Sequence, residues 1–470
     1  MPISFYSQAS RTVILLCPNI TSRHPSPALA RLCASLEPNP ICLAHRMSIF
    51  TLSSPSTSVP PEIWLQIFQT ATYIPGEWDV SATTHRQGLF NSWDSLQWRA
   101  YIVVLPLRRT IVQVSRLWWE VGSEVLYTSF HETAPPHHRI QTNSLDHFQH
   151  SLSSRPAFGR FVKRLALTWP RNGYSGKINH VLKMCPNTLI LSFYDIGAAY
   201  RCLWEPALST SHVRSLDANV RSLSQKEIVQ VLSGLPGLEI LHLSGLARGR
   251  EESRYHGNLR LSLVRLLSLS FDGYGIEYWT PLLSTAHLPR LTSFSTNPGR
   301  TSLPFSIDVW QRITFFRCFV SAHDTLKPEL FRSLTHLYLG TGARLLRYQQ
   351  NHFPFHQLHH LTLYSWIIPY TPVGRWIEIA DGLLVLPLNR SEMPLLRVLE
   401  LEWGVDGVQG KSIPISEHEQ YLSFLDHLES ATLEFERLGV QFQEVYREDI
   451  YRIPTPIKDV IQIVRDQMRI

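Results

Sequence analysis

Long apolar runs, paired cysteines and clustered charge are all missing from this 470-residue chain, and each absence removes a class of protein. No stretch approaches the ~18 apolar residues of a membrane-spanning helix, so no membrane partner is expected. The best run, Val13-Ile14-Leu15-Leu16-Cys17, is cut by Pro18 and is too short for the core of a secretory signal. The six cysteines (Cys17, Cys33, Cys42, Cys185, Cys202, Cys318) include no CxxC pair and no regular spacing. That argues against a disulfide framework or a zinc module and for reduced thiols in a cytoplasmic or nuclear protein. Charged residues make up only 17%, below the usual ~25%, so much of the chain must be buried or rest against something. The net charge, 44 − 38 = +6, is spread without a Lys/Arg run of five. No nucleic-acid partner is therefore expected.

Signatures of chemistry are missing too. His352 and His356 have the i,i+4 spacing of metal ligands, but Pro354 between them disfavours the helix that would align them. His131-Glu132 is followed by Thr133-Ala134-Pro135, so no HExxH site exists, and Gly173 to Lys177 lacks phosphate-loop spacing. There is no GxSxG elbow and no GxGxxG after a strand. No catalytic residue, metal or cofactor is assigned. The glycosylation triplets at Asn19 and Asn389 are short enough to arise by chance.

What is present is 44% hydrophobic residues in two different patterns. Residues 1–57 are rich in Ser and Pro and hold no period, so they bury too little apolar surface to offset their ordering entropy. Met47 stands just before the first patterned segment and is a second candidate start. Residues 60–74 predict a short helix, with Pro60-Pro61 at its start and Ile63, Ile67 and Phe68 on one face. Residues 76–104 read as an inserted loop. Leu107, Ile111, Val114, Leu117, Trp118 and Val121 then recur at helical steps, Gly122 bends or ends the helix, and Val125-Leu126-Tyr127 continue its face. Residues 58–131 thus form a small helical module, and 132–160 a linker with a short helix at 143–152.

From 161 to 440 the pattern is a short strand recurring as apolar-x-x-Leu-x-apolar. Its central positions are 165, 191, 216, 241, 267, 294, 316, 337, 361 and 399, with Val264/Leu267/Leu269 as the fifth copy and a weak last one near Leu428/Ala431/Leu433. The spacings are 26, 25, 25, 26, 27, 22, 21, 24 and 38, a period that scattered core strands would not hold. One copy cannot cover its own apolar face, whereas stacked copies can. The expected fold is therefore α/β: a helical module followed by a strand-and-return solenoid, closed by a capping helix within 441–470 that starts at Thr455-Pro456.

Two segments together resemble an F-box domain: Val59-Pro60-Pro61-Glu62-Ile63-Trp64-Leu65-Gln66-Ile67-Phe68 and Ile111-Val112-Gln113-Val114-Ser115-Arg116-Leu117-Trp118. With the halves separated by a loop, the pattern is similar to F-box-like proteins of mushroom-forming fungi. The later region resembles degenerate leucine-rich repeats, a horseshoe fold, but lacks that family's Asn/Cys ladder: Leu246, Gly342, Trp366 and Gly404 stand there. The resemblance implies a non-enzymatic substrate adaptor of a Skp–cullin–F-box ubiquitin ligase. Pro60, Pro61, Glu62, Ile63, Ile67, Phe68, Val114 and Trp118 would contact a Skp-type adaptor, and through it a cullin, while the repeats bind a target protein. Ile67 and Val114 are expected to be mostly internal to the module. His336, Tyr338, His359, His360 and Glu400 would face the target. The alternative is a stand-alone repeat scaffold with no ligase link. A hydrolase built on a dispersed Ser–His–Asp set is a third, weaker reading.

Overall fold

The computed structural model describes residues 59–74, 77, 95–131, 144–167, 175–193, 212–220, 224–244, 260–271, 276–296, 305–320, 330–341, 355–367, 393–405 and 433–446, with isolated positions from 419 to 430. The leader 1–57, the Cys17, Cys33, Cys42 and Cys202 thiols, and the helix expected from Thr455 lie outside the described residues. The chain divides into two compact units, 1–77 with 99–129, and 78–98 with 130–470.

The first unit is helical: α1 (Pro61–Ala71), α2 (Ser95–Val114) and α3 (Arg116–Tyr127). Proline suits the first turn of α1 because the N–H it gives up has no partner there. Helix α2 begins at Ser95, so the stretch read as a loop to 104 is shorter than expected. Pro106 sits inside this helix rather than ending it. The break between α2 and α3 is one residue, Ser115, extended in backbone. Its hydroxyl accepts from the Trp118 amide at 3.2 Å and caps α3. Gly122 does not end α3, which runs on to Tyr127. A Cβ there would stand 2.7 Å from Ile111 Cγ2, so glycine is what lets the two helices approach.

The second unit is α/β. Among the described residues, twelve strands form one sheet in sequence order, and every pairing from β2 to β12 is parallel. They are β1 (Ser129–His131), β2 (Arg164–Leu167), β3 (Ile190–Phe193), β4 (Ser215–Asn219), β5 (Ile240–Ser244), β6 (Ser268–Phe271), β7 (Ser293–Thr296), β8 (Phe315–Val320), β9 (His336–Thr341), β10 (His360–Ile367), β11 (Val398–Val405) and β12 (Gln441–Tyr446). Helices α4 (Ser144–Ser154), α5 (Ser175–Met184), α6 (Gln225–Ser233), α7 (Ile276–Ser284) and α8 (Ile307–Trp310) lie between them in sequence. The expected linker contains α4 and a 3₁₀ turn, Pro156–Phe161.

One column of residues runs across the sheet in register: Leu165, Leu191, Leu216, Leu241, Leu269, Phe294, Phe316, Leu337, Leu361, Leu399 and Phe442. The fifth member is Leu269, not Leu267. The stretch Leu261 to Phe271 alternates leucines over eleven residues, and two frames fit its spacing. The frame that buries Leu266, Leu269 and Phe271 and exposes Val264 wins. The last copy is not at 428–433 either: residues 433–437 are helical, and 441–446, placed in the C-terminal capping region ahead of its expected helix, form β12.

The stacking is held by main chain. Before most of the strands comes a tight turn closed by an amide three residues on, as in Leu238→Leu235, Leu266→Leu263, Ile313→Trp310, Leu358→Phe355 and Leu396→Met393. Two successive amides then donate to one carbonyl of the preceding strand segment: Glu239 and Ile240 to Arg214, Leu267 and Ser268 to Glu239, Thr314 and Phe315 to Thr292, His359 and His360 to Thr335. Where this column carries threonine, the hydroxyls bond the same carbonyls. Thr314 Oγ1 donates to Thr292 O at 3.2 Å, and Thr335 Oγ1 to Thr314 O at 3.0 Å. This threonine run does for three strands what an Asn/Cys ladder does elsewhere. Behind the strands, Trp310 packs edge-on against Phe294, Phe316 and Phe331, centroids 5.1–5.5 Å apart.

Candidate functional site

The helical unit closes a core of its own. Trp64 and Phe68 on α1 meet Trp118 on α3 with ring centroids 4.9 and 4.8 Å away, and Ile111 and Val125 complete the cluster. Below it, Arg108 and Glu77 form a buried bidentate pair. Nη1 donates to Oε1 at 2.6 Å and Nη2 to Oε2 at 2.5 Å, and the same guanidinium donates to Thr72 O at 2.8 Å. The Ser129 hydroxyl donates to Glu77 as well. A charge pair this deep persists only because each charge meets the other with further hydrogen bonds. Nothing in the sequence pointed to it, since the partners are 31 residues apart and neither lies in a patterned position.

Against that core the eight candidate docking residues separate. Pro60, Pro61 and Glu62 are exposed, Ile63 is 43% exposed, and Ile67 is half-buried. Phe68 and Trp118 are internal at 1% and 6%, so they cannot be first contacts for a partner: their rings meet each other between α1 and α3. Val114, expected inside, is 49% exposed, because the chain breaks at Ser115 and turns it outward. Trp64, not one of the eight candidates, is a core ring.

In the second unit both faces of the early strands are buried. Opposite the leucine column runs a second in-register row, one residue later: Ala166, Ser192, Asp217, His242, Ser270, Ser295, Arg317, Tyr338, Thr362, Glu400 and Gln443. Of the residues expected to face a target, Tyr338 and Glu400 stand in this row. His336 and His360 stand in the row before it, with rings 5.4 Å apart. His360 Nε2 and Thr362 Oγ1 both reach Glu400 Oε2 at 2.9 Å. The Arg317 guanidinium lies 4.0 Å over the Tyr338 ring and donates to its hydroxyl at 3.2 Å. His359 is separated from this group: it lies in the carbonyl column and accepts from the Arg397 and Val398 amides. Arg317 and the serines were invisible from spacing alone, because the row exists only once strand register is set.

Asp217, His242 and Ser270 stand side by side on β4, β5 and β6, the order of a hydrolytic triad. His242 Nε2 is 3.9 Å from Asp217 Oδ1, but no hydrogen bond joins His242 to Ser270. The three sit mid-strand, where amides are spent on the ladder and none remains to hold an oxyanion. Cys185 offers no nucleophile, since burial pushes its thiol up to about 12. Among the described residues no group of three His, Cys, Asp or Glu side chains is placed to hold a metal ion, and no helix is long and apolar enough to cross a membrane.

No protein-family model matches this sequence, and none of the curated proteins is similar to it.

Proposed function

We propose that the protein is a substrate receptor, an F-box-type module that docks on a Skp-type adaptor, and through it a cullin, joined to a leucine-rich-repeat-like horseshoe that holds a target protein. The observation that carries the reading is the division within the motif residues. The aromatic members are used up in an internal core, yet Pro60, Pro61, Ile63 and Val114 stay at the surface. Apolar side chains left outside a completed core are what a helix-in-groove contact requires. The proline-fixed start of α1 lowers the ordering cost of such a contact. In this reading ubiquitin transfer occurs on other subunits, and the receptor contributes proximity.

The test is co-purification of the full chain with a Skp-type adaptor. Recovery of a stoichiometric complex, lost in an Ile63→Asp/Val114→Asp variant with unchanged circular dichroism, is the expected result. An empty pulldown from folded wild-type protein would favour a scaffold with no ligase link.

A further inference from the structure

The turns that lead into β6, β7, β8 and β9 are closed alike: the amides of Leu266, Leu291, Ile313 and Leu334 donate to the carbonyls of Leu263, Leu288, Trp310 and Phe331. Each turn ends two residues before its strand, and the strand starts Ser268, Ser293, Phe315 and His336 pair in register. The position three residues ahead of them therefore repeats at strand spacing, and it holds Arg265, Arg290 and Arg312 on three successive turns. Arg332 stands one residue earlier on the fourth. All four are exposed, and among the described residues none is ion-paired. Other turns carry uncharged residues at the same position: Asn187, Gly237, Gln357 and Leu395. Arg312 Nη2 donates to Leu288 O at 3.2 Å, which holds its guanidinium against the turn that carries Arg290. At the neighbouring turn position, ahead of Arg265 and Arg290, Val264 is 49% exposed and Pro289 is exposed too, so apolar surface adjoins the charges.

Four guanidinium groups in a row, in a chain whose 44 basic and 38 acidic residues nearly balance, make a local field that selects anions. Strands stand about 4.8 Å apart, so the row spans about 14 Å with one cation per strand. An α-helix brings the same face round every turn, about 5.4 Å. Carboxylates at three- and four-residue steps on a helix therefore meet such a row nearly one to one. Single-stranded nucleic acid is the poorer fit. Its bases call for aromatic platforms, whereas Val264, Pro289, Gln311 and Ser333 stand next to the arginines. We infer that the edge formed by these turns docks an acidic amphipathic α-helix of a partner protein. The helix lies along the stacking direction, with carboxylates on Arg265, Arg290, Arg312 and Arg332 and apolar side chains on Val264 and Pro289. The inference deepens the target-binding half of the proposed function and is independent of the adaptor half, so an empty adaptor pulldown leaves it standing.

Fluorescence anisotropy of a labelled helical peptide, titrated with the full chain at low ionic strength, tests it. The peptide is alanine-based and about 20 residues long, with glutamates at three- and four-residue steps on one face and leucines flanking them. Saturable binding is expected, several-fold tighter than for a peptide of the same composition with its glutamates spread around the helix, and weakening as salt is raised. The variant Arg265→Glu/Arg290→Glu/Arg332→Glu spares Arg312, whose bond to Leu288 is structural, and changes only exposed side chains, so its circular dichroism should match wild type. It should lose the striped peptide and gain the counterpart with lysine in place of glutamate. Arg290→Ser alone should weaken the striped peptide about twofold or more and serves if the triple variant does not fold. Three results overturn the inference: no saturable binding or equal binding of the striped and spread peptides by wild type, binding unchanged in the variants, or an oligothymidylate held by the same arginines more tightly than the striped peptide.

Discussion

The helical unit and the strand unit are stabilised in opposite ways. The first depends on a few contacts with no substitutes: three clustered rings, one glycine crossing and one buried ion pair. The second repeats the same turn, the same shared carbonyl and the same leucine column from strand to strand, so no single contact decides whether it forms. Concentrated contacts fix a precise surface from few residues. Distributed ones tolerate irregular spacing, which is why strands 21 to 43 residues apart in sequence still stack in register.

The contrast is broken most directly at Arg108. Arg108→Ala strands the Glu77 carboxylate in the interior and should lower the stability of the helical unit by about 3–5 kcal/mol. Joint replacement by Met at 108 and Leu at 77 should recover most of that. Hydrogen exchange resolved over 99–129 reads both, and equal protection in Arg108→Ala and wild type would remove the ion pair from the account.

Next comes register. Leu269→Ala should destabilise the strand unit by about 2–5 kcal/mol, while Leu267→Ala, two residues earlier and half-buried, should do so by less than about 1 kcal/mol. Denaturant unfolding of the two variants decides it, and the reverse order would restore the frame centred on Leu267.

A smaller effect is expected in the threonine run. Thr335→Val removes one hydroxyl that supplements a carbonyl already holding two amides, and should change stability by about 0.5–1.5 kcal/mol. A larger loss would mean the distributed ladder is less redundant than its geometry implies. The smallest signal is chemical. Site-resolved alkylation at pH 8 should leave Cys185 unlabelled until the protein unfolds. Its raised pKa keeps the thiol protonated in the fold, and the associated stability is present below the unfolded value near 9.0 and lost as pH rises toward about 12.

How much of this was legible beforehand follows the same division. Periodic strands announce themselves, because one leucine per copy repeats a local signal ten times. The strand positions from 165 to 399 follow from spacing, apart from the two-residue slip at Leu267. That slip arose where the sequence offers leucine in both frames and only burial chooses. The end of the sheet at β12 was missed because a 43-residue step from Leu399 to Phe442 lies outside the period. In the helical unit, α1 was plain from its proline start and apolar face. The exposure of Val114 was not, since it turns on a one-residue break at Ser115 that pattern cannot see. The Glu77–Arg108 pair and the Arg317–Tyr338 contact belong to tertiary register and leave no linear trace.

Docking on a Skp-type adaptor requires that the helical unit have a finished core and a separate apolar face. Hydrogen exchange of the full chain with and without a Skp-type adaptor examines that directly. Added protection is predicted over Pro60–Gln66 and around Val114, with the Trp118–Val125 segment equally protected in both states. Protection that rises uniformly through the Trp118 core, or not at all at Ile63, would contradict it.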